Sequence, residues 1–178
     1  SFFERAEVKD MMAYFKLVVN LNDDESFKRI VNKPARGIGD TSLSALTAAA
    51  SNHKVSLFKA AYSEDLEIFG LKPAAVKKIR EFCNMIGSLT LKSNGSDAHT
   101  VAKKIADDSG MYLFYKMDTS IEGQARTANV EELIDSIKLF IDEKNSEYVE
   151  DMIADGQISD GDELSDTDKS YMRFGTLF

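Results

Sequence analysis

The stretch of the chain best suited to chemistry is RGIGDTS, residues 36–42. Two glycines around one apolar residue allow backbone angles closed to other residues, and they let backbone amides approach a ligand closely. Amides at a helix N-terminus attract anions, and Thr41 and Ser42 add hydroxyl groups while Arg36 adds a counter-charge. The pattern predicts a phosphate contact made by a helix-hairpin-helix-like turn, with Ile38 anchoring the turn in the core. A tight interhelical turn with nothing bound is the alternative.

No metal site is predicted elsewhere in the chain. His53 and His99 each lack a second His or Cys at metal-ligand spacing. The acidic segment 151–168 is rich in oxygen ligands, but it does not fit an EF-hand loop. Its two possible registers place Ile153 or Ile158 at the third position, where the loop needs an oxygen ligand.

No catalytic site is predicted either. The chain lacks a G-x-x-x-x-G-K-[ST] phosphate-binding loop, and no Ser/His/Asp set stands out. The single cysteine, Cys83, lies in an apolar pattern that favours a buried thiol over a nucleophile or a ligand. We therefore expect no catalytic activity and no cofactor from this chain alone.

The charge of the chain is unevenly distributed. The whole chain carries a net charge of −8, but residues 1–126 hold 18 Lys and Arg against 16 Asp and Glu, while residues 127–178 hold 4 against 14. A mildly basic body with an acidic tail can present a local basic face. We interpret the basic clusters as solvated helix faces, with DNA contact as the alternative. The clusters are Lys77, Lys78 and Arg80, then Lys103 and Lys104.

The hydrophobic pattern predicts a chain made of helices. Asn22 or Asp23, Asp40 or Thr41, and Asp97 are candidate helix N-caps, and Asn129-x-x-Glu132 resembles a capping box that opens a further helix. Residues 111–117, MYLFYKM, are predicted as a short buried helix because pairing partners for a strand are scarce. The other predicted helices cover residues 5–20, 23–31, 41–50, 56–62, 73–91 and 98–109. The fold class is all-α, an irregular multi-helix domain containing the Gly-Ile-Gly turn.

The composition changes along the chain and predicts three regions. Residues 1–146 form a helical domain, residues 147–169 form an acidic flexible linker poor in aromatic residues, and residues 170–178 begin a truncated helix. The start at Ser1 and the end at Phe178 suggest a piece of a longer protein. No membrane span or export signal is visible, so we expect a soluble cytoplasmic protein that does not bind membranes.

Two stretches resemble the 2B subdomain, with the adjoining end of the second motor domain, of UvrD/PcrA/Rep-type superfamily 1 DNA helicases. The first, Phe2 to Leu46, contains in order FFERAEVKD, NLNDD, FKRIVN and PARGIGD. This combination is far more specific than a lone Gly-Ile-Gly. The second, residues 123–133, combines GQAR with NVEEL. Between the two stretches only the helical pattern matches.

The resemblance implies a mostly helical accessory domain that lacks an ATP site and swivels against the motor domains of its parent chain. It implies ATP and Mg²⁺ as cofactors of the parent helicase, whose unwinding in DNA repair or replication the domain modulates. It also implies that the turn touches the phosphate backbone of duplex DNA. The DNA-binding residues implied by position are Arg36, Gly37, Ile38, Gly39, Thr41 and Ser42.

Two other functions remain open at this point. In the first, the turn is purely structural, and the surface or the acidic tail docks a repair or replication protein; the net charge of residues 127–178 motivates it. In the second, the chain is a free-standing helix-hairpin-helix DNA-binding protein.

Overall fold

The computed structural model describes residues 1–157 and 174–178, and these residues contain no β-strand. The prediction of an all-α fold is therefore confirmed. Two short 3-10 helices, Phe2–Glu4 and Leu66–Phe69, accompany the α-helices. The α-helices are α1 (Ala6–Val19), α2 (Asp24–Ile30), α3 (Asp40–His53), α4 (Leu57–Ala60), α5 (Pro73–Ser93), α6 (Ala98–Asp108), α7 (Met111–Lys116), α8 (Ile121–Ala154) and α9 (Phe174–Leu177).

Helix α1 lies at the centre of the core. Its apolar side chains cover more than one face, and it packs against α2, α5, α6 and α8. A helix that is apolar on several sides must be surrounded by other elements. The side chains of α1 with no exposed surface are Val8, Met11, Tyr14, Phe15, Leu17 and Val18.

Side-chain caps begin several of the helices. Asp23 accepts a hydrogen bond from the Ser26 amide at the start of α2, and Asp97 accepts one from the Thr100 amide at the start of α6. Each cap satisfies an amide that has no partner within its helix. Helix α3 differs from the prediction, because its N-cap is Gly39 rather than Asp40 or Thr41, and no side chain caps it.

The capping box predicted at Asn129 is wrong. Helix α8 begins at Ile121, capped by Ser120, and Asn129 lies inside the helix and is buried. The Asn129 side chain donates to Glu7 Oε1 at 3.0 Å and accepts from Arg5 at 2.8 Å. Asn129 therefore joins α8 to the start of α1, a long-range contact that its local pattern does not reveal.

Helix α8 also continues further than the composition suggests. It ends at Ala154, so residues 147–154 are helical where a linker was expected, and Met152 on this part of the helix is buried. Residues 158–169 of the expected linker lie outside the described residues, and the division of the chain into domains stays a prediction. Of the final predicted helix, Phe174 packs edge-on against Phe15, with ring centroids 5.3 Å apart.

Helix α7 confirms a short helix within residues 111–117, but only part of it is buried. Met111 and Tyr115 face the core, whereas Leu113 is 61% exposed and Phe114 is 53% exposed. A single helix of this length that packs on one side buries residues four apart and leaves those between them in solvent.

Candidate nucleic-acid interface

The Gly-Ile-Gly turn lies between α2 and α3, and its two glycines serve different purposes. Gly37 has a φ of +76°, a conformation that favours glycine, whereas Gly39 has a φ of −86° that any residue can adopt. A Cβ on Gly39 would meet no atom within 4 Å. Ile38 between them is 3% exposed, as predicted for the anchor of the turn. The backbone therefore favours a glycine at position 37, whereas position 39 can accept another residue.

Asn32 shapes the turn from within. Its Oδ1 accepts hydrogen bonds from the backbone amides of Arg36 at 2.7 Å and Ile38 at 3.1 Å. These two amides are thus satisfied by the protein itself. Asn side chains commonly bind nearby backbone amides in turns, so this role had a sequence signal that the pattern analysis missed.

The first turn of α3 presents the groups suited to an anion. The amides of Asp40, Thr41 and Ser42 lie where a helix offers no internal acceptor, and no side chain caps them. Thr41 is exposed and Ser42 is half-buried, so both residues lie at the surface. The carboxylate of Asp40 belongs to the same turn and opposes an anion there.

Arg36 is held by the protein around it. Its guanidinium lies over the Phe82 ring, 5.0 Å from the ring centroid. Because the Arg36 amino groups already donate hydrogen bonds within the protein, these contacts indicate that Arg36 positions the turn. A direct contact between Arg36 and phosphate stays a prediction. The acceptors are the carbonyl oxygens of Ile30 (3.0 Å), Val31 (3.1 Å), Lys33 (3.0 Å) and Ser109 (2.9 Å) and the hydroxyl of Tyr14 (2.6 Å).

The basic cluster on α5 divides into two kinds of residue. Arg80 is structural, because it donates to the carbonyl oxygens of Ala61 and Ser63, both at 2.9 Å. Lys77 and Lys78 are exposed. The Nζ of Lys78 lies 2.8 Å from the position that a Cβ on Gly37 would occupy, so this ammonium group lies against the turn.

The model of the UvrD-like helicase C-terminal domain matches residues 1–173. This chain belongs to that family. Three relatives are bacterial helicases, and the chain spans only about a fifth of their length. DNA helicase II of Escherichia coli K12 is 33% identical over 139 residues, covering 78% of this chain and 19% of the relative. DNA helicase II of Haemophilus influenzae is 30% identical over 179 residues, covering 99% and 24%. The ATP-dependent DNA helicase PcrA of Bacillus subtilis is 34% identical over 139 residues, covering 78% and 18%.

In this UvrD-like helicase domain, a second set of polar contacts joins α1 to the residues around the turn. Asp10, only 3% exposed, pairs with Arg29 Nε at 2.7 Å and Lys33 Nζ at 3.3 Å, and the Tyr115 hydroxyl donates to it at 3.4 Å. Two cations and a hydroxyl satisfy the buried carboxylate, as a buried charge requires. The contacts fix the residues that precede the turn.

The Tyr14 hydroxyl links Arg36 to the same loop. It accepts from Arg36 and donates to the Lys33 carbonyl oxygen. Burial raises the pKa of Tyr14 to about 12, although the neighbouring Arg36 guanidinium lowers it. The hydroxyl therefore keeps its proton at neutral pH and remains a donor to the loop.

The surroundings of the other candidate residues, Cys83 and His53, indicate structural roles. Burial raises the pKa of the Cys83 thiol to about 12, so the thiol stays protonated at neutral pH. The Nε2 of His53 lies 2.8 Å from Oδ2 of Asp65. Within residues 1–157 and 174–178, no group of three or more His, Cys, Asp or Glu side chains is arranged to hold a metal ion. No helix of the described part is long and apolar enough to cross a membrane.

Proposed function

We propose that this UvrD-like domain is the accessory 2B domain of an ATP-dependent DNA helicase and contacts the backbone of duplex DNA through residues 36–42. The observation that carries the proposal is the surface turn at Gly37 and Gly39, which leads into a helix whose first amides have no side-chain cap. Its relatives are named as DNA helicases, which makes a nucleic-acid phosphate the natural anion for such a turn.

The chemistry of the contact is sequence-independent. The amides at the start of α3 and the hydroxyls of Thr41 and Ser42 donate to phosphate oxygens, and Gly39 lets the backbone approach because it carries no side chain. Ile38 holds the turn in the core and Arg36 fixes its shape. Phosphate contacts position a protein on DNA without reading bases, and so few of them give weak, salt-sensitive binding.

The domain performs no catalysis in this proposal. The parent helicase binds ATP and Mg²⁺ through its motor domains, which are the partners of this domain within the parent chain. The turn holds the duplex, and the orientation of the domain modulates unwinding during DNA repair or replication.

The test is fluorescence anisotropy of a labelled blunt duplex titrated with the 178-residue chain and its Gly39→Ala variant. The fold has space for the new Cβ, and alanine is only a poorer N-cap than glycine, at a cost of no more than about 1 kcal/mol. We expect about tenfold weaker binding, or roughly 1.4 kcal/mol, because the methyl group separates the backbone from the phosphate.

Gly95→Ala is the matched control, because its Cβ also meets no atom within 4 Å and it lies in the α5–α6 loop. The control should bind as the parent chain does. The Gly37→Ala/Gly39→Ala double variant should lose binding while remaining helical by circular dichroism. Parental affinity in both turn variants, with both folded, would reject the proposal.

A second candidate function is docking of a repair or replication protein. The specific observation is the row of exposed acidic residues on the second half of α8, which includes Asp142, Glu143, Glu147 and Glu150. A Glu143→Gln/Glu150→Gln variant should then bind a purified partner with a basic surface more weakly than a Glu64→Gln control. Equal binding by the two variants would remove this role.

A further inference from the structure

Lys78 is a cation whose side chain lies against the glycine turn. It belongs to α5, yet its Nζ comes within 2.8 Å of the position of an added Cβ on Gly37, and its Cδ and Cε come within 3.3 Å. The whole end of the side chain therefore lies along the turn. A side chain at position 37 would displace the end of the Lys78 side chain. The lack of a Cβ on Gly37 therefore leaves room for Lys78, in addition to allowing the positive φ.

The charge of Lys78 is not used within the fold. Although Lys9, Lys33 and other lysines pair with carboxylates, no ion pair or hydrogen bond of Lys78 occurs within the described residues. Lys78 is exposed, and it lines a shallow cleft beside the turn together with Arg36 and Glu81. Glu81 is the negative group of this cleft, and no ion pair between Glu81 and Lys78 occurs among the described residues.

Arg36 cannot readily take the same role. Its guanidinium donates to carbonyl oxygens at the end of α2, to Ser109 and to Tyr14. Turning it outward would leave these acceptors without their donor, and an unsatisfied buried polar group is costly. The exposed lysine next to the same glycine has no such cost.

We infer that Lys78 supplies the positive charge of the phosphate contact, so that the site joins the turn before α3 to a lysine from α5. This inference rests on the proposed function. The ammonium attracts a phosphate oxygen as a point charge, without any requirement on the bases. The Gly37–Lys78 contact then places the charge beside the amides that bind the same phosphate.

The test is the salt dependence of duplex binding by the 178-residue chain, measured by anisotropy for Lys78→Gln and for Lys77→Gln as its matched control. Lys77 is the neighbouring exposed lysine, and it lines a different cleft together with Ser63 and Glu64. Removal of one phosphate contact should lower the slope of log K against log salt by about 1 and weaken binding roughly tenfold at about 50 mM salt. Lys77→Gln should keep the parental slope, and Lys78→Arg should restore most of the affinity because it keeps the charge.

The outcomes separate this inference from the function on which it rests. If Gly39→Ala weakens binding while Lys78→Gln and Lys77→Gln behave alike, the turn contacts DNA and the role of Lys78 is wrong. If Lys78→Gln weakens binding but Lys78→Arg does not restore it, the charge is not what the site uses, and the inference fails. If the parent chain does not bind the duplex at low salt, both the function and the inference fail.

Discussion

At the residue scale, Arg36 decides how the turn is built. Its guanidinium donates hydrogen bonds to carbonyl oxygens at the end of α2 and to that of Ser109 at the end of α6, and it lies over the ring of Phe82 on α5. The last carbonyls of a helix lack internal partners, and a cation at this end also complements the helix dipole. Arg36 therefore satisfies several elements at once and holds residues 31–39 in one shape.

Arg36→Ala should lower the free energy of unfolding by about 2–3 kcal/mol, because hydrogen bonds to a charged group contribute more than neutral ones and an arginine over an aromatic ring adds to them. Urea denaturation followed by circular dichroism measures the change. Arg126→Ala is the control, since the one ion pair that Arg126 makes among the described residues is a long one of 3.9 Å to Asp118, and its effect should stay within about 0.5 kcal/mol. A parental urea midpoint for Arg36→Ala would contradict the positioning role.

At the element scale, some helix N-termini are capped by a side chain and others are not. Helices α2, α4, α6 and α8 each begin with a side-chain acceptor, whereas α1, α3, α5 and α7 begin without one, and the N-cap of α3 is Gly39. A carboxylate cap makes its helix sensitive to pH. Burial acts to raise the pKa of Asp97, but hydrogen bonds from the Thr100 amide and hydroxyl and the nearby His99 outweigh it, so that the pKa lies below the usual 3.8.

Asp97→Ala should cost about 1 kcal/mol at neutral pH, the usual value of an N-cap. Because the folded pKa is the lower one, the stabilisation is present above the unfolded pKa of 3.8 and is lost as the pH falls through the folded pKa. The cost of the substitution should therefore shrink in acid, as measured by urea denaturation at pH 7 and near pH 3. Ser56→Ala removes a cap that does not titrate, so its cost should not follow the same trend; a pH-independent cost for Asp97→Ala would refute the assignment.

At the scale of the whole molecule, the described helices share one core. The buried apolar residues other than Met152 form a single cluster that reaches from α1 to α8 and includes Phe174 of α9. Helix α1 packs at the centre of this cluster. Elements that share one core and lack an independent one unfold together.

Unfolding of the chain in urea should therefore be a single transition. Circular dichroism reports the helices, and tyrosine fluorescence reports the core, because the chain has six tyrosines and no tryptophan and both Tyr14 and Tyr115 are buried. The two midpoints should coincide. Separate midpoints would show that part of the chain, such as α8, unfolds independently of the core.

The sequence by itself determined the features that depend on neighbouring residues. The all-α class follows from hydrophobic periodicity, and the Asp23 and Asp97 caps and the buried Ile38 follow from short local patterns. Gly37 at positive φ follows from the Gly-Ile-Gly motif, because backbone preferences act over a few residues. These features identify the candidate turn without any contact between distant elements.

Only the tertiary structure decided what surrounds that turn. Arg36 meets Ser109 across 73 positions of sequence, and Asn129 meets Glu7 across 122. No local pattern encodes such pairs, so the predicted capping box at Asn129 is wrong, and the internal hydrogen bonds of Arg36, predicted as a counter-charge, appear only in the fold. Lys78, interpreted as part of a solvated helix face, is exposed, and the packing of α5 also places its side chain against Gly37. Local chemistry selects the backbone of the site, whereas the charges around it depend on how distant helices pack.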